Sequence, residues 1–148
     1  MLNPDYRDML SALFEEGVEF LIVGAFALAA HGLPRATGDI DVWIRCSDEN
    51  AVRVWRALLR FGAPTQGLTQ SDLAAPDVVF QIGVAPRRID ILTSIDGVTF
   101  DEAWPHRLTV SLEGVSVPVV GRAHLIQNKR AAGRPKDLAD LEWLQDAP

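Results

Sequence analysis

The chain has 148 residues, close to the size of one domain, with 48% apolar and 23% charged residues. That composition supplies a real core and excludes a disordered or low-complexity chain. The net charge of −6 argues against an extended nucleic-acid-binding surface, and the single cysteine, Cys46, excludes an internal disulfide and fits a reducing cytoplasm.

The N-terminus, MLNPDYRDML, has no basic segment leading into an apolar run, so no signal peptide is expected. Residues 4–16 are predicted as a helix. Asn3 caps it, Pro4 suits its first turn, Met9, Leu10, Leu13 and Phe14 form an apolar stripe, and Gly17 ends it. Residues 18–23 read as a short apolar strand. Residues 25–30 are rich in helix formers, and Gly32 and Pro34 stop that helix. The longest apolar run, 20–30, falls far short of the ~20 residues of a membrane span, so no membrane association is expected. Gly38 precedes a strand over 39–45.

Ser47 caps a third helix, which carries Val52, Trp55, Leu58 and Leu59 and ends near Gly62. Residues 63–75 read as a loop. Strands over 78–84 and 88–93 flank the turn GVAP as a hairpin, and 100–104 form a helical turn. A second hairpin, 108–112 and 115–120, turns at Glu113 and Gly114. Helices follow over 122–132 and 135–145, the last with Leu138, Leu141 and Leu144 on one face. The mixture predicts one α/β (α+β) domain over 1–148: a mixed sheet flanked by helices, with a core over about 18–120 and a C-terminal helix pair over about 122–145.

Two strands carry residues that strands disfavour. In RATGDIDVWI, Asp39 and Asp41 interrupt an apolar run. Alternate strand residues share a face about 6.6 Å apart, so both carboxylates project together while Ile40 and Val42 face the core. Such a pair must be solvated, salt-bridged or metal-bound, and an exposed strand end would explain it as simply. RRIDILT sets a third carboxylate, Asp90, between Ile89 and Ile91. If that strand neighbours the first, three acids converge and can hold divalent cations, as phosphoryl transfer uses them. Strand, Gly24-Ala25, then helix is a place where backbone N–H groups can meet phosphate, or else a plain tight turn. The positive charge is 12 Arg against 2 Lys, locally dense at Arg87-Arg88 and over 122–136. Arginine suits forked contacts to small anions, and solvated surface charge is the plainer reading.

VGAFALAAHG, RATGDIDVWI, RRIDILT and the tail LIQNKRAAGRPKDLADLEWL together resemble the nucleotidyltransferase superfamily that includes DNA polymerase beta, in its small bacterial members of antibiotic-modifying and abortive-infection or antitoxin type. The likeness covers about residues 18–144. It implies a nucleotidyltransferase fold and transfer of an NMP from an NTP, ATP among them, to a hydroxyl acceptor, with release of pyrophosphate. The acceptor would be a protein, tRNA or small molecule. Asp39, Asp41 and Asp90 would bind Mg²⁺ or Mn²⁺, and Asp90 would serve as general base. Gly24 and Ala25 would lie against the β- and γ-phosphates, and Arg35 and Thr37 would touch phosphate or nucleotide. Lys129, Arg134 and Lys136 would supply charge to triphosphate or acceptor, while Asp137 is as open to pairing with a neighbouring Arg and Asp140 is expected in solvent.

Two departures stand out. Ala25 replaces the second Gly or Ser of the family motif, removing a hydroxyl contact, and at this length the extra domain of larger members is not expected. Either a second subunit completes the site, or the acceptor is small, or activity is weak or lost. The alternative function is therefore a weak or inactive antitoxin-like regulatory module that binds a partner protein or a second copy. His31 reads as a helix-end or packing residue, and His106 and His124 lack zinc spacing. Cys46 reads as a small core residue. The four tryptophans read as packing residues, with Trp43 and Trp104 also candidates to stack on a base.

Overall fold

The computed structural model describes residues 2–33 and 38–146. Seven helices and six strands alternate irregularly among the described residues: α1 (Pro4–Glu15), β1 (Phe20–Val23), α2 (Gly24–Ala30), β2 (Ile40–Ile44), α3 (Asp48–Phe61), α4 (Gln70–Leu73), β3 (Val79–Ile82), β4 (Ile89–Leu92), α5 (Phe100–Ala103), β5 (Leu108–Leu112), β6 (Val115–Val119), α6 (Arg122–Ala132) and α7 (Pro135–Asp146). The strands form one mixed sheet in the order β3-β4-β2-β1-β6-β5. β1 runs antiparallel to β2 and parallel to β6, and β2 runs parallel to β4. Both expected hairpins are present, β3 with β4 and β5 with β6.

Local signals account for most element ends. The Asn3 side chain accepts from the Asp5 N–H at 2.8 Å and starts α1. Ser47 accepts from the Asn50 N–H and starts α3, and Gly62 closes that helix in the left-handed region at φ 88°. The expected loop over 63–75 contains a helical turn, α4, held by a reciprocal capping box between Thr69 and Asp72.

The core joins the central strands to the inner faces of α1 and α3, which pack on each other. β1 is buried along its whole length, so the sheet is covered on both sides. Three expected stripes hold only in part. Phe14 is 61% exposed, since α1 turns Tyr6, Met9, Leu10 and Leu13 inward. In α3 the buried residues are Asn50, Ala51, Val54, Ala57 and Leu58, and Leu59 is 56% exposed. In α7 Leu138 is exposed and the buried face is Asp137, Asp140 and Leu144.

Asn50 is the one polar residue that α3 buries. Its Oδ1 accepts from the Glu19 N–H at 2.9 Å, and its Nδ2 donates to the Glu19 and Arg45 carbonyls at 3.0 and 2.9 Å. One side chain thus ties α3 to the start of β1 and the end of β2. Asn50→Ala removes three hydrogen bonds, leaves the Glu19 N–H without its amide partner and is expected to cost ~2 kcal/mol in urea unfolding. A change near zero would show that water replaces the amide there.

Candidate active site

The antiparallel pairing of β1 with β2 sets Val23 opposite Asp41, so the residue that ends β1 delivers Gly24 beside that carboxylate. The parallel pairing of β2 with β4 sets Asp41 opposite Asp90 in register. The condition posed by the sequence, that the two acidic strands be neighbours, is met. Asp39 lies one residue before β2 and joins them from the strand entry.

Gly24 is held at φ +69°, a conformation that L side chains rarely adopt. A Cβ there would fall 3.2 Å from Asp41 Cγ and well inside contact with its Oδ2. Gly38 is tight for another reason: a Cβ would press on the backbone of Pro86 in the β3–β4 hairpin. Tyr6, from α1, donates its hydroxyl to the Gly38 carbonyl and fastens the same junction from below.

A cavity of about 400 Å³ opens over these residues, lined by Gly24, Ala25, Leu28, Gly38, Asp39, Asp41, Arg88, Asp90, Lys129, Arg134, Lys136 and Asp140. Eight of the ten site residues expected from the sequence therefore share one wall: Gly24, Ala25, Asp39, Asp41, Asp90, Lys129, Arg134 and Lys136. The other two, Arg35 and Thr37, lie outside the described residues. None of the four tryptophans lines the cavity. Trp43 is buried edge-on against Phe100, which stacks on Trp104, so neither candidate is free to stack on a base.

The carboxylates are unequal. Burial pushes the Asp41 carboxyl up to about 6, with the charge of Asp90, a hydrogen bond between the two carboxyls and the charge of Asp39 acting in the same direction. Arg88 opposes this. Its Nε and Nη2 fork onto Asp90 Oδ1 and Oδ2 at 2.7 and 3.2 Å. The same Nη2 lies 3.2 Å from Asp39 Oδ2, and the Arg88 backbone N–H donates to Asp39 Oδ1 at 3.0 Å. Arg88, one of the locally basic Arg87-Arg88 pair, is the cation that meets these carboxylates. It sits one residue before β4 and two before Asp90, a spacing that gives both side chains the same face in extended backbone.

The cations from α6 and α7 are largely engaged by acids. Lys129 is buried, with Nζ 3.2 Å from both Asp137 Oδ1 and Asp140 Oδ2. Burial pulls its ammonium below the ordinary lysine value, against the hydrogen bond and charge of Asp137. Asp137 is fully buried and is also held by Arg134 at 2.6 Å. Burial alone would raise that carboxyl, and the hydrogen bonds from Arg134 and Lys129 outweigh it, so it lies below the usual range. Asp140 is 2% exposed, not solvated as expected, because Lys129 draws it into the helix interface. Asp137 pairs with Arg134, one of the two outcomes that its position left open.

The donor set suits a hard divalent cation: oxygen only, from three carboxylates, two of them in register and crowded enough to push one towards protonation. Among the described residues no three His, Cys, Asp or Glu side chains stand together in metal-holding geometry. Arg88 takes oxygens of Asp39 and Asp90 instead.

Elsewhere, His31 ends α2 and places Nε2 2.9 Å from the Val120 carbonyl, a packing role. The rings of His106 and His124 lie 5.5 Å apart, with no third metal-ligating side chain grouped with them among the described residues. Cys46 is half-buried, and burial pushes its thiol up.

No family model matches the chain, and no curated protein matches it. Solved structures do. A candidate nucleotidyltransferase from Thermotoga maritima superposes with a TM-score of 0.62 at 19% identity, over 99% of this chain and 96% of its own. ANT(2″)-Ia, solved in complex with adenylyl-2″-tobramycin, superposes with a TM-score of 0.60 at 15% identity, over 94% and 84%. Its solution structure, described as that of an antibiotic-resistance factor, gives 0.61 at 15%, over 95% and 80%. The chain has the nucleotidyltransferase-like fold.

Proposed function

We propose that the protein transfers a nucleoside monophosphate from an NTP to a hydroxyl acceptor and releases pyrophosphate. The observation that carries this reading is the convergence of Gly24-Ala25, the three aspartates and the α6–α7 cations on one cavity, in a fold shared with nucleotidyltransferases.

Asp39, Asp41 and Asp90 would hold Mg²⁺ or Mn²⁺. Bound there, the ion supplies charge neutralisation for the triphosphate and activates the attacking oxygen. Gly24 and Ala25 offer bare backbone to the β- and γ-phosphates, since any larger residue at 24 would displace Asp41. Asp90 takes the acceptor hydroxyl proton. The freed oxygen attacks the α-phosphorus, the bond to the bridging β-phosphate oxygen breaks, and pyrophosphate departs. Lys136 and the exposed flank of Arg134 meet the departing charge, while Lys129 holds α6 and α7 in place through Asp137 and Asp140. The neighbour solved with adenylyl-2″-tobramycin makes ATP and a small hydroxyl-bearing acceptor the first pair to test.

The second reading is a weak or inactive module that docks on a partner protein. Ala25, which brings no hydroxyl, and the closure of Arg88 on two of the three carboxylates favour it.

Thermal unfolding with Mg²⁺ and each of the four NTPs separates the two readings. A nucleotide at 100 times its Kd should stabilise by ~2.7 kcal/mol, which is several degrees at this length. The Asp39→Asn/Asp41→Asn variant should lose that ligand-induced shift. No shift with any NTP, and no pyrophosphate release, would leave only the docking module.

A further inference from the structure

Arg88 is the cation most intimately joined to the carboxylates, and no role for it follows from the transfer reaction itself. One guanidinium reaches both the first and the third carboxylate, with Nη2 3.2 Å from an oxygen of each. Nε adds a 2.7 Å bond to Asp90, and the Arg88 backbone holds the far oxygen of Asp39. Two of the other cavity cations are engaged elsewhere. Lys129 is committed to Asp137 and Asp140, and Arg134 to Asp137.

We propose that Arg88 is an internal counter-ion of the three carboxylates, which keeps a divalent cation from binding until nucleotide arrives with it. The proposal rests on the transfer reading above. With Arg88 in place, the group Asp39, Asp41, Asp90 and Arg88 carries at most −2 instead of −3, and two carboxylates already have their oxygens satisfied. A lone dication then meets a weakened field and must displace a fork. A metal–nucleotide complex brings its own oxyanions, and a guanidinium fork suits phosphate as well as carboxylate. The side chain is free to exchange one for the other, because it is 29% exposed at the cavity wall and not packed into the core. Metal and nucleotide therefore bind with positive coupling, each raising the affinity for the other.

Mn²⁺ binding, followed through the paramagnetic signal of the free ion, tests this without turnover. Nucleotide-free wild type, Arg88→Met and Arg88→Lys are titrated, and each is repeated with a non-hydrolysable ATP analogue. Arg88→Met is expected to bind Mn²⁺ at least ~10-fold more tightly than wild type without nucleotide, because a unit positive charge has left the carboxylates. Its dependence on the analogue should shrink by the same factor. Arg88→Lys, which keeps the charge and loses the fork, should fall between, and it preserves the test if Arg88→Met does not fold. Equal nucleotide-free affinity in wild type and folded variants would overturn the counter-ion role while leaving the transfer reading intact. Absence of Mn²⁺ binding in every protein, with and without the analogue, would overturn both.

Discussion

Gly24→Ala is expected to cost about 2 kcal/mol of stability and about 100-fold in turnover. Two causes act at once. The residue sits at φ +69°, so any Cβ meets backbone strain. The same Cβ points at Asp41, whose Oδ2 and Cγ must give way. Asp41 has little room to do so, because its strand is fixed between β1 and β4 and its carboxyl faces that of Asp90. The displaced group belongs to the proposed reaction centre, so the loss of activity exceeds what the stability change alone explains. Urea unfolding and pyrophosphate release read the two effects separately. Wild-type values in both would mean that the turn relaxes freely and that the glycine is a convenience of the local backbone.

Asp41→Asn is expected to abolish transfer and to make the ligand-free protein more stable at neutral pH. In the folded protein the carboxyl titrates near 6, against an ordinary value of 3.8. The folded state therefore holds more protons than the unfolded chain between those values. Stability falls as pH rises through that window and levels off above about 6, with a total change of about 3 kcal/mol. An asparagine carries no charge to desolvate and none to set against Asp90. The variant should gain several degrees in midpoint at pH 7.5 and nothing at pH 3.5, with the slope between pH 4 and 6 removed. Parallel pH profiles for the two proteins would refute the buried, crowded state of this carboxyl. A gain in stability on removing a proposed metal ligand is what a site held under strain for function produces.

Much of this architecture can be read locally. Asn3, Ser47, Gly62 and Gly133 mark helix ends that need no tertiary partner. The alternation of aspartate with isoleucine and valine in two segments foretells carboxylates on one sheet face, and the register of β2 with β4 brings them level. What escaped is what a distant partner decides. Asp140 has the composition of a surface residue and is buried where Lys129, eleven positions earlier on another helix, neutralises it. Leu138 has the composition of a core residue and is exposed because α7 turns its charged face inward. Asp137, Asp140 and Leu144 do recur at helical spacing, and with Lys129 nearby that pattern is legible as a buried ion cluster. Arg88 needed only the period of a strand to be placed beside Asp90.

The pairing of Arg88 with Asp90 on β4 bears on the order of assembly. Asp39 and Asp41 leave solvent next to β1, a local partner, while the third carboxylate comes from 49 positions beyond Asp41. Closing that long loop against an acidic seam would ordinarily be opposed by repulsion as well as by chain entropy. Asp90 of β4 and Arg88, one residue before that strand, bring one negative and one positive side chain together, so their arrival adds no net charge to the seam. The segment that completes the triad brings its own neutraliser, which offsets part of the carboxylate repulsion that closure of the sheet must overcome.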